Sequence, residues 1–226
     1  MKNRIYMLSL LMLVAAGCQR AELQRDAQLK NIISKAKALD DYATCINATW
    51  ELISTDTNEL NYYDSLAVYF YRSGNYNSAL KTSKRCLSYR TLESTLLVAL
   101  ESSIALNDLE GVVNYADGMV QLKPDNLKYR YDLSKAYFNM GNDYEAQKAL
   151  RDLSRIEQSK VEATQMNLNG KAYRVSYYAA AYNLLGVIQA NAGRQQDAIK
   201  LFEESLKYAP TFPLPAENIK ALKESK

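Results

Sequence analysis

Leu185-Gly186 … Ala192-Gly193-Arg194-Gln195-Gln196-Asp197-Ala198 … Phe202 … Ser205-Leu206 … Pro210 is the stretch that decides the fold. Apolar and small residues recur at helical spacing on both sides of Gly193. The glycine suits the end of a first helix, and Pro210 suits the end of a second, which it cannot continue. Weaker copies of this pattern begin at Asp26, Leu60, Glu93 and Leu127, in steps of 34, 33 and 34 residues. The copy that contains Gly193 begins at Ala179, after a longer step of 52. A period in this range predicts helix pairs stacked as a solenoid, whose usual product is a binding surface rather than an active site.

Short polar turns mark the middle of each copy: Asp40-Asp41, Ser73-Gly74-Asn75, Asn107-Asp108, Gly141-Asn142-Asp143 and Gly193-Arg194. Ala67, Ser134 and Gly186 place a small residue in the first helix of three copies. Cys45, Ala79, Ala146 and Ala198 place another in the second helix, where the two must approach closely. Val112 is larger than this pattern prefers, and the first and third copies lack the turn glycine.

These positions resemble the tetratricopeptide repeat, a helix–turn–helix unit of about 34 residues. The resemblance covers residues 26 to 212 and implies an all-α, right-handed solenoid of about five helix pairs. Pro213 and Pro215 lead into a last segment, 213–226, expected to be a capping helix.

The longer step holds an insert around 155–178. The second helix of the fourth pair is expected to run on through Ser159 to Ala163, with a turn at Asn167-Leu168-Asn169-Gly170. The next helix is expected to start near Lys171, which puts Tyr173, Tyr177 and Tyr182 on one face with Tyr178 beside them. Two interpretations stand for Tyr173, Tyr177 and Tyr178: packing within an elongated pair, or a protruding docking ridge.

The first residues look like an address. Met1-Lys2-Asn3-Arg4 is basic, Ile5 to Ala16 is apolar and too short to span a bilayer, and small residues follow. Val14-Ala15-Ala16-Gly17-Cys18 resembles the lipobox of bacterial lipoproteins, with Ala15 where leucine is more typical. That resemblance implies a signal peptide over 1–17, acylation of Cys18, and a lipidated tether over 18–25. Gln19 at the sorting position implies the outer membrane, and the lack of an acidic export tag implies the periplasmic side. A plain cleaved signal and a buried N-terminal helix are the alternatives.

Composition narrows function. The chain of 226 residues has no histidine, which removes the commonest general base and metal ligand. Three cysteines are too few for a disulfide framework or a four-cysteine zinc site. Cys45 and Cys86 are expected to be two buried thiols. Asp40-Asp41 and Glu203-Glu204 are adjacent pairs, which point apart on a helix and make no acid/base dyad. The formal charge is +3, and without Lys2 and Arg4 the balance is 26 basic against 25 acidic, which gives no case for nucleic acid. No enzyme activity, cofactor or metal is expected.

The family resemblance implies that the first helix of each pair lines a partner-binding groove. Its positions here are Asn61, Asp64, Val68, Tyr71 and Arg72; Leu97, Glu101 and Ile104; Lys128, Tyr131, Lys135, Phe138 and Asn139; and Asn183, Val187 and Asn191. Such a mixture of aromatic and polar groups suits an extended peptide or a partner helix. Asp64 and Asp132 stand where the family's carboxylate-clamping members carry amide or basic groups, which argues against a C-terminal carboxylate ligand. The expected function is a lipid-anchored scaffold holding a protein partner at the bacterial envelope, in assembly of an outer-membrane or secretion complex. The alternative is a solute-binding lipoprotein for a glycan or peptide.

Overall fold

The computed structural model describes residue 21, residues 23–55 and residues 60–224. Cys18 and the expected signal peptide lie outside the described residues. The chain divides into two compact units, residues 1–102 and 103–226. Among the described residues there are eleven α-helices and one β-hairpin.

The first unit holds α1 (23–38), α2 (Tyr42–Thr55), α3 (Leu60–Arg72), α4 (Tyr76–Leu87) and most of α5 (Glu93–Ala105). Its core is built in small overlapping clusters. Leu29, Ala48 and Leu52 join α1 to α2; Ile53, Tyr63, Leu66 and Cys86 join α2, α3 and α4; and Ala67, Ala79 and Val98 join α3, α4 and α5. Nearest-neighbour packing of this kind is what a tandem array of helix pairs produces.

The second unit continues with α6 (Leu109–Leu122), α7 (Leu127–Asn139), α8 (Asp143–Ser154), α9 (Tyr177–Asn191), α10 (Gln195–Tyr208) and α11 (Pro213–Glu224). Leu127, Ala146, Leu150, Leu153, Ala181, Leu185 and Ile188 bind α7, α8 and α9 together. Five helix pairs and a final helix are thus present as expected, and α11 begins at Pro213, where proline's fixed φ suits a first helical position.

The five mid-pair turns share one hydrogen-bond scheme. At the third glycine turn, for example, Gly193 N–H donates to the Ala190 carbonyl at 2.9 Å and Arg194 N–H to the Gln189 carbonyl at 2.9 Å. The same two bonds recur at Asp40-Asp41, Gly74-Asn75, Asn107-Asp108 and Gly141-Asn142. This helix ending needs one residue with left-handed backbone. Gly74, Gly141 and Gly193 supply it at φ +79°, +74° and +75°. Where glycine is missing, Asp40 and Asn107 take φ +54° and +55° instead. Short polar side chains tolerate that region best, so the two turns without glycine keep the same geometry. The following residue then caps the next helix: Asp41, Asn75, Asp108 and Asn142 accept from the backbone N–H three residues on.

The predicted small positions are buried where the helices of a pair meet. Ala67, Ala79, Ser134, Ala146 and Ala198 are fully buried. A Cβ built on Gly186 would come within 2.5 Å of the Phe202 ring, so glycine is what lets α9 and α10 close.

The insert departs from expectation. Helix α8 stops at Ser154, a short 3-10 turn spans Glu157–Lys160, and two antiparallel strands follow, β1 (Ala163–Leu168) and β2 (Lys171–Ser176). The expected helical extension through Ala163 and the early helix start near Lys171 are therefore replaced by a hairpin. The reason is local. Asn169 and Gly170 both take positive φ, +50° and +78°, the pair that a tight hairpin turn requires. Met166 and Leu168 alternate with exposed neighbours, as does Tyr173, and Val175 packs with Ala179, Ala180, Ala209 and Phe212.

Candidate functional site

In the first unit the groove positions fall on α3 and α5. Asp64 is not a free groove acid. Its carboxylate is ion-paired with Arg90, which also donates to Asn61 Oδ1 at 2.8 Å, and it accepts from Thr95 Oγ1 at 2.6 Å. This network ties α3 to the start of α5, so Asn61 and Asp64 serve the fold as well as its surface. Arg72 ends α3 in solvent, while Val68, Tyr71 and Glu101 are half-buried. Tyr71 packs against Tyr76 with ring centroids 5.7 Å apart.

In the second unit the groove positions fall on α7 and α9. Tyr131 meets Tyr177 edge-on at 6.0 Å, and the Lys135 ammonium lies 5.8 Å from the centroid of the Tyr131 ring. Burial pushes the Tyr131 phenol above its ordinary range, with Asp132 adding to the effect. Lys128 is paired with Asp132 at 2.8 Å. Lys135 and Asn139 border a hollow of about 100 Å3 with Ile104, Leu109 and Val112. Lys128 and Tyr177 meet instead in a larger cleft of about 560 Å3, bounded by residues 122–128 and by Glu162 at the base of the hairpin. Helix α11 reaches α9, where Asn218 Nδ2 lies 3.5 Å from Asn183 Oδ1. Asn183 is thus shared with the cap, whereas Asn191 stays exposed and Phe138 and Val187 half-exposed.

The tyrosines of the insert divide. Tyr177 and Tyr178 are each 8% exposed and pack inward. Tyr178 stacks on Tyr182 at 4.4 Å, touches Tyr208 at 4.4 Å, and donates to Glu204 at 3.2 Å. Tyr173 stands apart from them, half-buried on β2 with Lys171 over its ring at 5.1 Å. A continuous helical ridge through the three does not form, because Tyr173 lies on a strand and the other two open α9.

Cys45 and Cys86 are both free and buried. Burial, helped by the nearby Asp64, pushes the Cys86 thiol up to about 12, which makes it a poor nucleophile at neutral pH. Among the described residues no cluster of acids and cysteines could hold a metal ion, and no helix is long and apolar enough to cross a membrane. One surface feature went unread in the sequence. Trp50, Tyr63 and Phe70 line a hollow of about 380 Å3 on the first unit with Arg85 beside them. The available signal was the chain's single tryptophan on a helix that already had an apolar side.

Comparison with known proteins agrees with this architecture. Residues 179–212 match the tetratricopeptide repeat family model. No curated protein sequence matches the chain closely enough to count as a relative. A crystal structure of MamA is similar with a TM-score of 0.63 and 16% identity, over 81% of this chain and 91% of that one. A MamA fragment from Desulfovibrio magneticus RS-1 aligns with a TM-score of 0.60 and 11% identity, over 81% and 94%. YrrB, described as a TPR protein with an unusual peptide-binding site, aligns with a TM-score of 0.65 and 12% identity, over 84% and 89%. At such identities the likeness is one of fold. The chain has a tetratricopeptide-type fold of helix pairs.

Proposed function

We propose that this chain of tetratricopeptide-type helix pairs is a lipid-anchored scaffold of a bacterial envelope, tethered through Cys18 and facing the periplasm. Its partner is a protein segment held on the first helices of the pairs, in assembly of an outer-membrane or secretion complex. The observation that carries the binding role is the α7–α9 surface. There Tyr131, Phe138 and Val187 offer apolar contact beside Lys135, Asn139 and Asn191, without a reactive group among them. Aromatic anchors within a polar rim are the composition of peptide-recognition surfaces. The description of YrrB as bearing a peptide-binding site supports the ligand class by analogy of fold. The anchor rests on the sequence Val14-Ala15-Ala16-Gly17-Cys18.

Two measurements test this reading. Crosslinking in the native membrane followed by purification is expected to return one protein neighbour, reduced by Tyr131→Ala combined with Lys135→Glu. A chain that returns no neighbour refutes the scaffold. Replacing Cys18 by Ser is expected to abolish acyl labelling, and continued labelling refutes the anchor.

A further inference from the structure

The chain has one tryptophan, Trp50, and it stands 45% exposed on α2. Its indole meets Tyr63 edge-on, with centroids 6.3 Å apart and planes at 87°. Arg85 of α4 lays its guanidinium over the same tyrosine ring, 4.2 Å from the centroid. These groups and Phe70 border the hollow of about 380 Å3, which Lys81 and Thr82 of α4 complete. None of the groove positions on α3, α5, α7 or α9 takes part.

The lining has two chemistries. Trp50, Tyr63 and Phe70 make apolar walls, and Lys81 and Arg85 make a cationic rim with no acid among the lining residues. Helix α4 carries Lys81, Lys84 and Arg85 and no acidic residue along its length. The acid beside the tryptophan, Glu51, is already ion-paired with Arg25. We propose that this hollow is an anchoring site for a protein partner's peptide segment in which a bulky apolar side chain is flanked by acidic residues.

Each part of that ligand answers a part of the site. The walls reward burial of one large aliphatic or aromatic side chain, and a hollow at the low end of ligand-pocket sizes suits such an anchor. Arginine stacked on an aromatic ring still presents its N–H groups to a carboxylate, and partial desolvation strengthens that contact. Rim cations select for acidic flanks and raise the association rate. Single-stranded nucleic acid fits less well. It needs a row of open aromatic faces along a basic groove, whereas Tyr63 is itself buried beneath Trp50 and Arg85.

Trp50 makes the site self-reporting. The full chain is titrated with an end-blocked hexapeptide that has a central Leu-Phe pair between acidic residues, and tryptophan emission is followed. A saturable change is expected, and Lys81→Glu and Arg85→Gln are each expected to weaken it by about tenfold. Far-UV circular dichroism checks that the helices persist; if Arg85→Gln loosens the packing on Tyr63, the exposed Lys81 variant decides. The absence of a saturable change overturns the proposal. So does an equal response to the same peptide with lysines for acids, or a tighter response to a short oligothymidylate, which would assign the surface to nucleic acid. Since the groove residues are untouched in these variants, the result stands independently of the crosslinking test above.

Discussion

Gly186→Ala is the most exacting test of how the last helix pair is held together. The added Cβ would lie 2.5 and 2.6 Å from Cε1 and Cδ1 of Phe202 and 3.0 Å from Cζ. Carbon atoms in ordinary contact sit about 3.5–4 Å apart, so the ring or the helix must retreat by about 1 Å. Phe202 is only 1% exposed and has no open side to retreat into. Overpacking of this kind costs about 1–3 kcal/mol. Alanine in a helix interior recovers about 0.8–1 kcal/mol over glycine. The expected net loss is therefore about 0–2 kcal/mol, a fall in melting temperature of up to about 8 °C for a chain of this size. The assay is urea and thermal unfolding followed by far-UV circular dichroism, repeated in a Phe202→Leu background. With the ring gone, the same glycine substitution should become neutral or stabilising, which gives a coupling of about 1–3 kcal/mol. Stabilisation by Gly186→Ala in the native background, or an equal effect in both backgrounds, would refute the close-approach argument.

Four further outcomes are expected. Gly141→Val puts a β-branched residue at φ +74° and should lower stability by about 1–2 kcal/mol, while Asn107→Gly at φ +55° should be neutral or slightly stabilising; urea midpoints check both. Asp64→Ala leaves the Arg90 guanidinium and the Thr95 hydroxyl without their shared acceptor and should cost about 2–4 kcal/mol, more than Thr95→Val, by the same measurement. In a Cys18→Ser chain a thiol reagent should count no reactive thiol in the folded protein at pH 8 and two after denaturation; a thiol that reacts before unfolding contradicts the burial. The raised Cys86 value also sets a pH dependence. A folded-state value of about 12 against 9.0 unfolded means the folded state holds its proton longer. Stability from this group is whole below pH 9 and is lost as pH rises from 9 toward 12. Cys86→Ser should flatten that stretch of the curve.

Much of the architecture was legible because the repeat imposes the same demand at several places. The small residue at Ala67, Ser134 or Gly186 answers one helix crossing, and each is read more surely for the existence of the others. The turns show why a missing signal need not mean a missing structure. Asp40 and Asn107 adopt the left-handed backbone that glycine takes elsewhere, so copies without the turn glycine close in the same way. A helical period carried across residues 155–178 hides the hairpin, although Asn169-Gly170 between alternating apolar residues is itself a strong hairpin signal. Neighbouring helices on both sides made the tyrosines look like one face, when a strand places Tyr173 and Val175 on one side and Arg174 on the other.

The groove positions were harder to read for a different physical reason. A family position specifies which way a Cα–Cβ bond points, but the availability of the side chain depends on what else reaches it. Asp64 is engaged by Arg90 and Thr95, residues whose spacing from it carries no periodic signal. Asn183 is met by Asn218 from the final helix, whereas Lys135 and Asn139 keep exposed side chains. The distinction bears on mutagenesis. A substitution at Asp64 changes stability and partner binding together, and a loss of binding there cannot be assigned to contact. Lys135→Glu alters an exposed charge beside Tyr131 with no ion pair to break among the described residues. A loss of partner that follows Lys135→Glu at unchanged unfolding midpoint therefore reports the surface itself, and an unchanged partner yield would move the binding surface away from α7.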